Sequence, residues 1–385
     1  MNYLNRLIKE FCPHGVTYLK LENFLKIKNG GDYKHLGCGT YPVYGSGGIM
    51  TYVDSFVYDK PSVLIPRKGS IDKLYYVTEP FWNVDTVFYT DIDVTVAIPK
   101  YVYFCLQKSH LEQYNTAGGV PSLTQKVLNC IRIPLPPLAV QQEIVRILDS
   151  FTELTAELTA ELTAELTARR KQYEHYRDEL LTFGDDVPFV KLGDSCHVIT
   201  KGTTPKAYTQ SGVTFIKTEA IDGNSLNYSK LSYIDVETHN TTLKRSILKT
   251  DDILITIAGA TIGKCAMVPE KLLPANTNQA LAIVRLNETV CKKYIFYILQ
   301  SHYMKEYINA SAKGSAQPNL NLEQLNNFKF PLPPLAEQKR IVETLERFDA
   351  ICNDMTSGLP AEITARQKQY EYYRDKLLTF KELDT

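Results

Sequence analysis

Apolar residues fall at Ile144, Leu148, Phe151, Leu154, Leu158, Leu162 and Leu166, three or four positions apart, within a stretch from 138 to 183 that holds neither glycine nor proline. That spacing marks one face of a helix. About 45 residues at about 1.5 Å each predict a rod of roughly 65–70 Å, and a helix of that length needs a helical partner. Its middle, TELTAELTAELTAELTA at 152–168, repeats a four-residue word. Alanine, glutamate and leucine are good helix formers and threonine is tolerated. Without glycine, serine or proline the tract does not read as a loose linker. Four residues turn through about 400°, so the leucine stripe drifts by about 40° per copy. Glu153, Glu157, Glu161 and Glu165 form a mildly self-repelling row. Both features predict a stripe that wraps against more than one neighbour. Periodicity alone leaves open whether the length of this helix has meaning or whether it is a plain coiled-coil scaffold.

On either side the pattern changes. Residues 16–130 and 187–327 mix short β-branched and aromatic runs with glycine-rich turns; SVLIPRKGSIDKLYYV (62–77) and DILITIAGATIGKCAMV (252–268) predict strands around tight turns. Short apolar helices such as KKYIFYILQSHYMKEYI (292–308) follow. The coarse picture is two compact α/β modules separated by a rod.

The chain is written twice. IRIPLPPLAVQQEIVRILDSF at 131–151 matches FKFPLPPLAEQKRIVETLERF at 328–348, and RKQYEHYRDELLTF at 170–183 matches QKQYEYYRDKLLTF at 367–380, both at a constant shift of 197. Pro121, Leu123 and Leu128 fall on Pro318, Leu320 and Leu325 at that same shift, whereas VTYLKL (16–21) meets VPFVKL (187–192) at a shift of 171. The second variable region is therefore longer by about 26 residues. Each repeat opens on a proline cluster suited to the approach to a helix. In the second copy Ser357-Gly358-Leu359-Pro360 interrupts the rod, predicting helices near 335–356 and 360–380 that lie antiparallel to the unbroken first one.

Composition narrows the class. Of 385 residues, 43 are lysine or arginine and 43 aspartate or glutamate, so any basic surface is local. The eight cysteines are scattered without a C-x-x-C pair, which speaks against a structural zinc site or a disulfide framework and for reduced thiols acting as small apolar side chains. The N-terminus lacks the apolar core of a signal peptide, and no run approaches the roughly 18 apolar residues of a membrane span. A cytoplasmic protein is expected.

Several loops combine glycine, small polar residues and lysine: GSGG (45–48), PRKGS (66–70), TKGTTP (200–205), GATIGK (259–264), NTNQA (276–280) and GSAQPN (314–319). Asn and Gln pair with adenine edges, Arg and Lys with guanine, and backbone N–H with phosphate, though each loop taken singly is also ordinary turn chemistry. GATIGK lacks the spacing of a phosphate-binding P-loop, and neither a dinucleotide fingerprint, H-E-x-x-H nor G-x-S-x-G occurs. His239 and His302 have no evident catalytic companions.

Two variable modules alternating with PLPPLAEQ-type helical repeats, with TAEL copies in the first helix, resemble the specificity subunits of type I restriction–modification systems, in the subgroup with TAEL-type spacers. The resemblance covers nearly the whole chain and implies an α+β and α/β fold: two globular target-recognition domains in inverted orientation, joined by two long antiparallel conserved helices forming a coiled coil. On this chain it divides 1–15 as an N-terminal helix completing the conserved cycle, 16–130 as the first recognition domain, 131–184 as the TAEL spacer, 185–327 as the second recognition domain and 328–385 as the second spacer. It implies a non-catalytic reader of a bipartite site in double-stranded DNA, without metal or cofactor of its own. The implied partners are two methyltransferase subunits, which bind S-adenosylmethionine and methylate adenine; two restriction subunits using ATP and Mg can join them. No membrane is involved.

Residues expected at DNA are Ser46, Gly47, Arg67, Lys68 and Ser70 in the first module. In the second they are Lys201, Thr203, Thr204, Lys217, Thr261, Lys264, Asn276, Asn278, Gln279, Ser315, Gln317 and Asn319. Helix pairing falls to Leu148, Phe151, Leu154, Leu158, Leu162, Leu166, Ile341, Leu345 and Phe348. The first module lacks clear counterparts of KGTTP and GATIGK; GSGG and PRKGS sit in comparable places. Two rival readings are a coiled-coil adaptor with two protein-binding modules and no DNA specificity, and a nuclease built on unrecognised acidic residues. Sequence-specific DNA binding with a cognate methyltransferase separates the first rival, and cleavage or methylation by the chain unaided the second.

Overall fold

A computed structural model describes residues 3–115, 120–259, 261–311, 319–353 and 358–383. The first half of the chain forms α1 (Tyr3–Phe11), β1 (Thr17–Lys20), β2 (Leu25–Asn29), β3 (Cys38–Gly45), β4 (Gly48–Val53), β5 (Ser62–Pro66), β6 (Tyr75–Val77), β7 (Trp82–Asn83), β8 (Val87–Ile92), α2 (Pro99–Lys108), α3 (Gln125–Asn129), β9 (Arg132–Leu135) and α4 (Leu138–Leu180). The second forms β10 (Phe189–Lys191), β11 (Cys196–Lys201), β12 (Val213–Ile216), β13 (Ile221–Asp222), β14 (Ser225–Leu226), β15 (Ser232–Ile234), α5 (Val236–Asn240), β16 (Ile253–Thr256), β17 (Cys265–Met267), β18 (Ala275–Thr277), β19 (Leu281–Leu286), α6 (Lys292–Ile298), α7 (His302–Ser311), α8 (Leu322–Asn327), β20 (Lys329–Pro331), α9 (Leu335–Asn353) and α10 (Leu359–Leu377). The rod predicted from 138 onward is one unbroken helix of 43 residues. Its second copy is split at the glycine–proline step into α9 and α10.

The chain forms two compact units, residues 1–163 with 362–385, and residues 164–361. Each contains the same pair of sheets. In the first, strands run in the order β2-β8-β5-β6 and β4-β3-β7; in the second, β11-β19-β16-β17 and β15-β12-β18. The parallel pair in each three-stranded sheet is also shared, β3 with β7 and β12 with β18. The duplication thus runs through the variable regions, where side chains diverge but strand order does not. About half of the extra length of the second module has one location: β3 and β4 are joined by two residues, 46–47, whereas β12 and β15 are joined by 217–231, which carries β13 and β14.

The repeated PLPPLA-x-Q motif has a packing reason. Gln141 is fully buried; its side-chain oxygen accepts the Ile98 N–H at 2.9 Å, and its amide donates to Val96 O at 3.0 Å and Pro136 O at 2.8 Å. Gln338, 197 residues on, accepts the Cys291 N–H and donates to Pro333 O, both at 2.8 Å. A proline-rich entry leaves carbonyls without strand or helix partners, and a buried glutamine supplies both donor and acceptor. Tyr101 and Tyr294 close the same corner, donating to Pro134 O and Pro331 O.

Within each unit a ring pair joins the long helix to a segment of the other repeat. Phe151 meets Tyr373 at 6.2 Å in the first unit, and Tyr176 meets Phe348 at 5.7 Å in the second. Shifting either pair by 197 with partners exchanged gives the other. The first unit is completed by the end of the chain. Leu378 is fully buried in its core, as Leu181 is in the second unit. Lys108 donates to Leu378 O and Thr379 Oγ1 just past α10, where a cation also suits the helix dipole. Arg132 pairs with Glu382, and Val16 bridges Glu382 in parallel. Leu378→Ala is expected to cost about 2–5 kcal/mol, with loss of hydrogen-exchange protection confined to the first unit. Leu181→Ala is expected to act on the second. Equal loss in both units from either change would contradict this division.

Two expectations need correction. Leu154 does not serve helix pairing: it stays 62% exposed, while Leu148 and Leu162 are buried and Leu158 and Leu166 half-buried. A drift of about 40° per copy places Leu154 and Leu162 about 80° apart, so a packed stripe cannot hold every leucine of the tract. Ile341 and Leu345 are buried; Phe348 is half-buried, and Phe151 is 37% exposed despite its ring contact. Nor are all cysteines small core residues. Cys12, Cys105 and Cys265 are buried, and burial pushes the Cys105 and Cys265 thiols up to about 12, but Cys38 and Cys130 are exposed.

Candidate nucleic-acid interface

In each module four loops meet at one end of the four-stranded sheet, held by backbone bonds between distant positions. In the first, Gly31 N–H donates to Asn83 O at 2.9 Å, Arg67 N–H to Thr86 O at 2.9 Å, Gly69 N–H to Pro121 O at 3.1 Å and Leu123 N–H to Arg67 O at 2.9 Å. The second repeats this arrangement: Thr203 N–H to Thr277 O at 3.0 Å, Ile257 N–H to Ala280 O at 3.0 Å and Leu320 N–H to Ile257 O at 2.8 Å. These bonds fix the equivalences. PRKGS occupies the place of GATIGK, as expected. The counterpart of TKGTTP, however, is Lys28-Asn29-Gly30-Gly31 rather than GSGG, which takes the place of 217–231. Gly30 and Gly202 explain the pairing, since a β-carbon at either would run into the backbone carbonyls of Asn83 and Val84, or of Thr277 and Asn278.

Around the first cluster Lys68 and Gly47 are exposed and Ser46 and Ser70 half-exposed. Arg67 lies over the Phe88 ring at 5.2 Å, and its buried Nε meets no hydrogen-bond partner among the described residues. The turn 45–48 touches the loop 66–70: Tyr75 Oη donates to Ser46 O at 3.1 Å, and a β-carbon on Gly69 would lie 3.6 Å from Ser46 Oγ. Gly48 and Gly69 have φ of +119° and +82°, conformations that glycine permits.

Around the second, Lys201, Thr204, Lys264, Gln279 and Asn319 are exposed, and Thr203, Thr261 and Asn278 half-buried. Asn278 Oδ1 accepts the Ala280 N–H, a local turn bond that shapes its loop. Lys217 already has a counter-ion: its ammonium lies 2.8 Å from Glu219, which raises its pKa, and 5.2 Å above the Tyr208 ring. Asn276 is a correction. It is fully buried in β18, its oxygen against His239 Nδ1 and its amide donating to Leu243 O and Ser246 Oγ, so it braces the module rather than facing a ligand. Ser315 and Gln317 lie outside the described residues.

Asn29 is an exposed polar residue that the loop reading missed. The available signal was position, because Gly30 follows Leu21 of one repeat start by nine residues and Gly202 follows Leu192 of the other by ten. Among the described residues no group of three His, Cys, Asp or Glu side chains could hold a metal ion, and no helix is long and apolar enough to cross a membrane. What the clusters offer is glycine-shaped backbone, short polar side chains and single lysines: groups suited to phosphates and base edges.

Comparison with known proteins points the same way. The family model for the type I restriction modification DNA specificity domain matches residues 7–168 and again 184–365. The specificity subunit of the type I restriction enzyme EcoR124I/EcoR124II of Escherichia coli is 35% identical over 310 residues, 77% of this chain and 74% of that one. A protein of Haemophilus influenzae, provisionally named a type I restriction enzyme specificity subunit, is 34% identical over 363 residues, 89% of each. Among solved structures, a chain from work on complex assembly and conformational transition of the type I R-M system has the same fold, with a TM-score of 0.62 at 15% identity over 94% of this chain and 97% of that one.

Proposed function

The chain belongs to the DNA specificity subunits of type I restriction–modification systems, and we propose that each of its two target-recognition domains reads one half of a bipartite site with the loops gathered at the end of its four-stranded sheet. It is a recognition subunit, not a catalyst. The observation that carries the loop assignment is the recurrence of one backbone-bonded loop cluster in both domains, bearing different exposed side chains at equivalent places. A shared frame with divergent tips lets one fold read two sequences. In the first domain Asn29, Ser46, Gly47, Arg67, Lys68 and Ser70 face DNA; in the second Lys201, Thr203, Thr204, Thr261, Lys264, Asn278, Gln279 and Asn319 do so. Lys217 joins them on exchanging Glu219 for phosphate.

The long helices hold two methyltransferase subunits, which supply S-adenosylmethionine chemistry at adenine, and the complex accepts restriction subunits that use ATP and Mg. A net charge of +0 suits a reader that shares its grip on DNA with partners in the cytoplasm. Genome-wide mapping of methylated adenines for this chain with its cognate methyltransferase is expected to return one bipartite motif with a fixed gap. Lys68→Ala is expected to leave that motif unchanged while weakening binding and lowering the salt slope by about one. Methylation without a bipartite motif would overturn the reading.

A further inference from the structure

From the β3–β4 hairpin we infer a second mode of recognition, resting on the reading above: its tip enters the major groove of the first half-site and contacts thymine methyl groups through Ile49 and Met50. The ladder slips by one residue at the tip: Val43 pairs with Thr51 but Tyr44 with Ile49, so Met50 is the extra residue of a β-bulge, a device that re-aims side chains. Ile49 is 50% exposed and Met50 57%, so two adjacent apolar side chains stand uncovered at the tip; cover returns at Val53, which is buried. The turn is as tight as a hairpin allows, two residues with Gly48 at φ +119°. Met50 is nevertheless braced. Its sulfur lies against the bare α-carbon of Gly45, where a β-carbon would come within 2.5 Å.

A narrow hairpin tip with two adjacent uncovered apolar side chains suits a groove, whose floor and walls can close around it. A two-stranded ribbon fits the major groove, about 12 Å wide, where thymine presents its methyl group. The adjoining loop places the exposed Lys68 for phosphate contact beside the tip. The second domain argues by contrast. At the equivalent place, 217–231 turns its apolar residues Ala220, Ile221 and Leu226 into a core shared with Leu254 of β16, Ala266 of β17 and Ile283 of β19. Its exposed ring, Tyr228, lies 4.5 Å below the Lys271 ammonium. The apolar finger therefore belongs to the first domain and gives it a preference that the second does not share.

The test uses the complex of this chain with its cognate methyltransferase, after its motif has been mapped. Each thymine of either half-site is replaced by deoxyuridine, which keeps pairing and removes the methyl group. Affinity is expected to fall about fourfold per contacted methyl in the first half-site, the equivalent of one buried carbon, and to hold in the second. In Ile49→Ala/Met50→Ala the sensitivity should vanish, with binding to unmodified DNA weakened by a similar factor; Met50→Leu should retain it. Three results would overturn the inference: a first half-site without thymine, no loss on uracil substitution, or a loss that persists in the double variant. A complex with no bipartite motif would instead sink the parent reading, and the finger with it.

Discussion

Removing one TAEL copy is expected to shorten the gap of the methylated motif by one base pair, leave both half-sites unchanged and reduce methylation at the original sites to background. Deleting 155–158, 159–162 or 163–166 gives one and the same product, because the three words are identical. Each lies within an unbroken helix of 43 residues, so excision leaves an α-helix with its ends one word closer. Four residues remove about 6 Å of rise and about 40° of net rotation. A base pair advances about 3.4 Å, and about 10–10.5 of them complete a turn. Rise alone asks for nearly two base pairs, rotation for one. Rotation governs, because a loop cluster facing the wrong groove makes no base contacts, whereas a few ångströms of mismatch can be spread over side chains and DNA. Adenine methylation mapped for the two proteins decides the matter; an unchanged gap would return the tract to a scaffold of indifferent length.

The largest loss of stability from a single side chain is expected at Gln141. Gln141→Ala removes the partner of the Ile98 N–H and of the Val96 and Pro136 carbonyls; the Pro136 bond is buried and the other two are part-buried. Each unmet buried group costs about 1–3 kcal/mol, and the cavity adds to it, so about 3–6 kcal/mol is expected. Gln141→Glu should be nearly as damaging, since a carboxylate donates to neither carbonyl and is itself buried. Urea unfolding of the full chain, read by hydrogen exchange, should show the loss in residues 1–163. Gln338→Ala should shift it to 164–361. A midpoint within about 0.3 M of the parent for either variant would mean the motif is not a structural lock.

That glutamine also shows what could be read directly. The match of 131–151 to 328–348 marks the motif as repeated, and proline followed by an uninterrupted helical pattern predicts where α4 and α9 begin. The glycine–proline step in the second copy predicts the break that separates α9 from α10. Loop function was less legible. Asn276 looks like its neighbour Asn278 in NTNQA, yet one is in the core and the other half-exposed. The difference comes from His239, Leu243 and Ser246, which lie 37, 33 and 30 residues upstream of Asn276. Leu154 and Leu162 each stand in the same local run Glu-Leu-Thr-Ala, and their unequal burial follows from rotation about the helix axis together with what stands beside it.

By itself the sequence determined the duplication, the helical rod, the strand-and-turn character of the two modules and the kinship with DNA specificity subunits. These rest on local periodicity, on glycine and proline, and on motifs copied at constant spacing, all properties of neighbouring residues. Tertiary structure alone decided that Lys28-Asn29-Gly30-Gly31 answers TKGTTP, that a two-residue turn stands where the second module has 217–231, that Asn276 is a brace, and that Ile49 and Met50 project uncovered. Each depends on backbone bonds or burial between positions tens of residues apart, and such distances become contacts only when the sheets close.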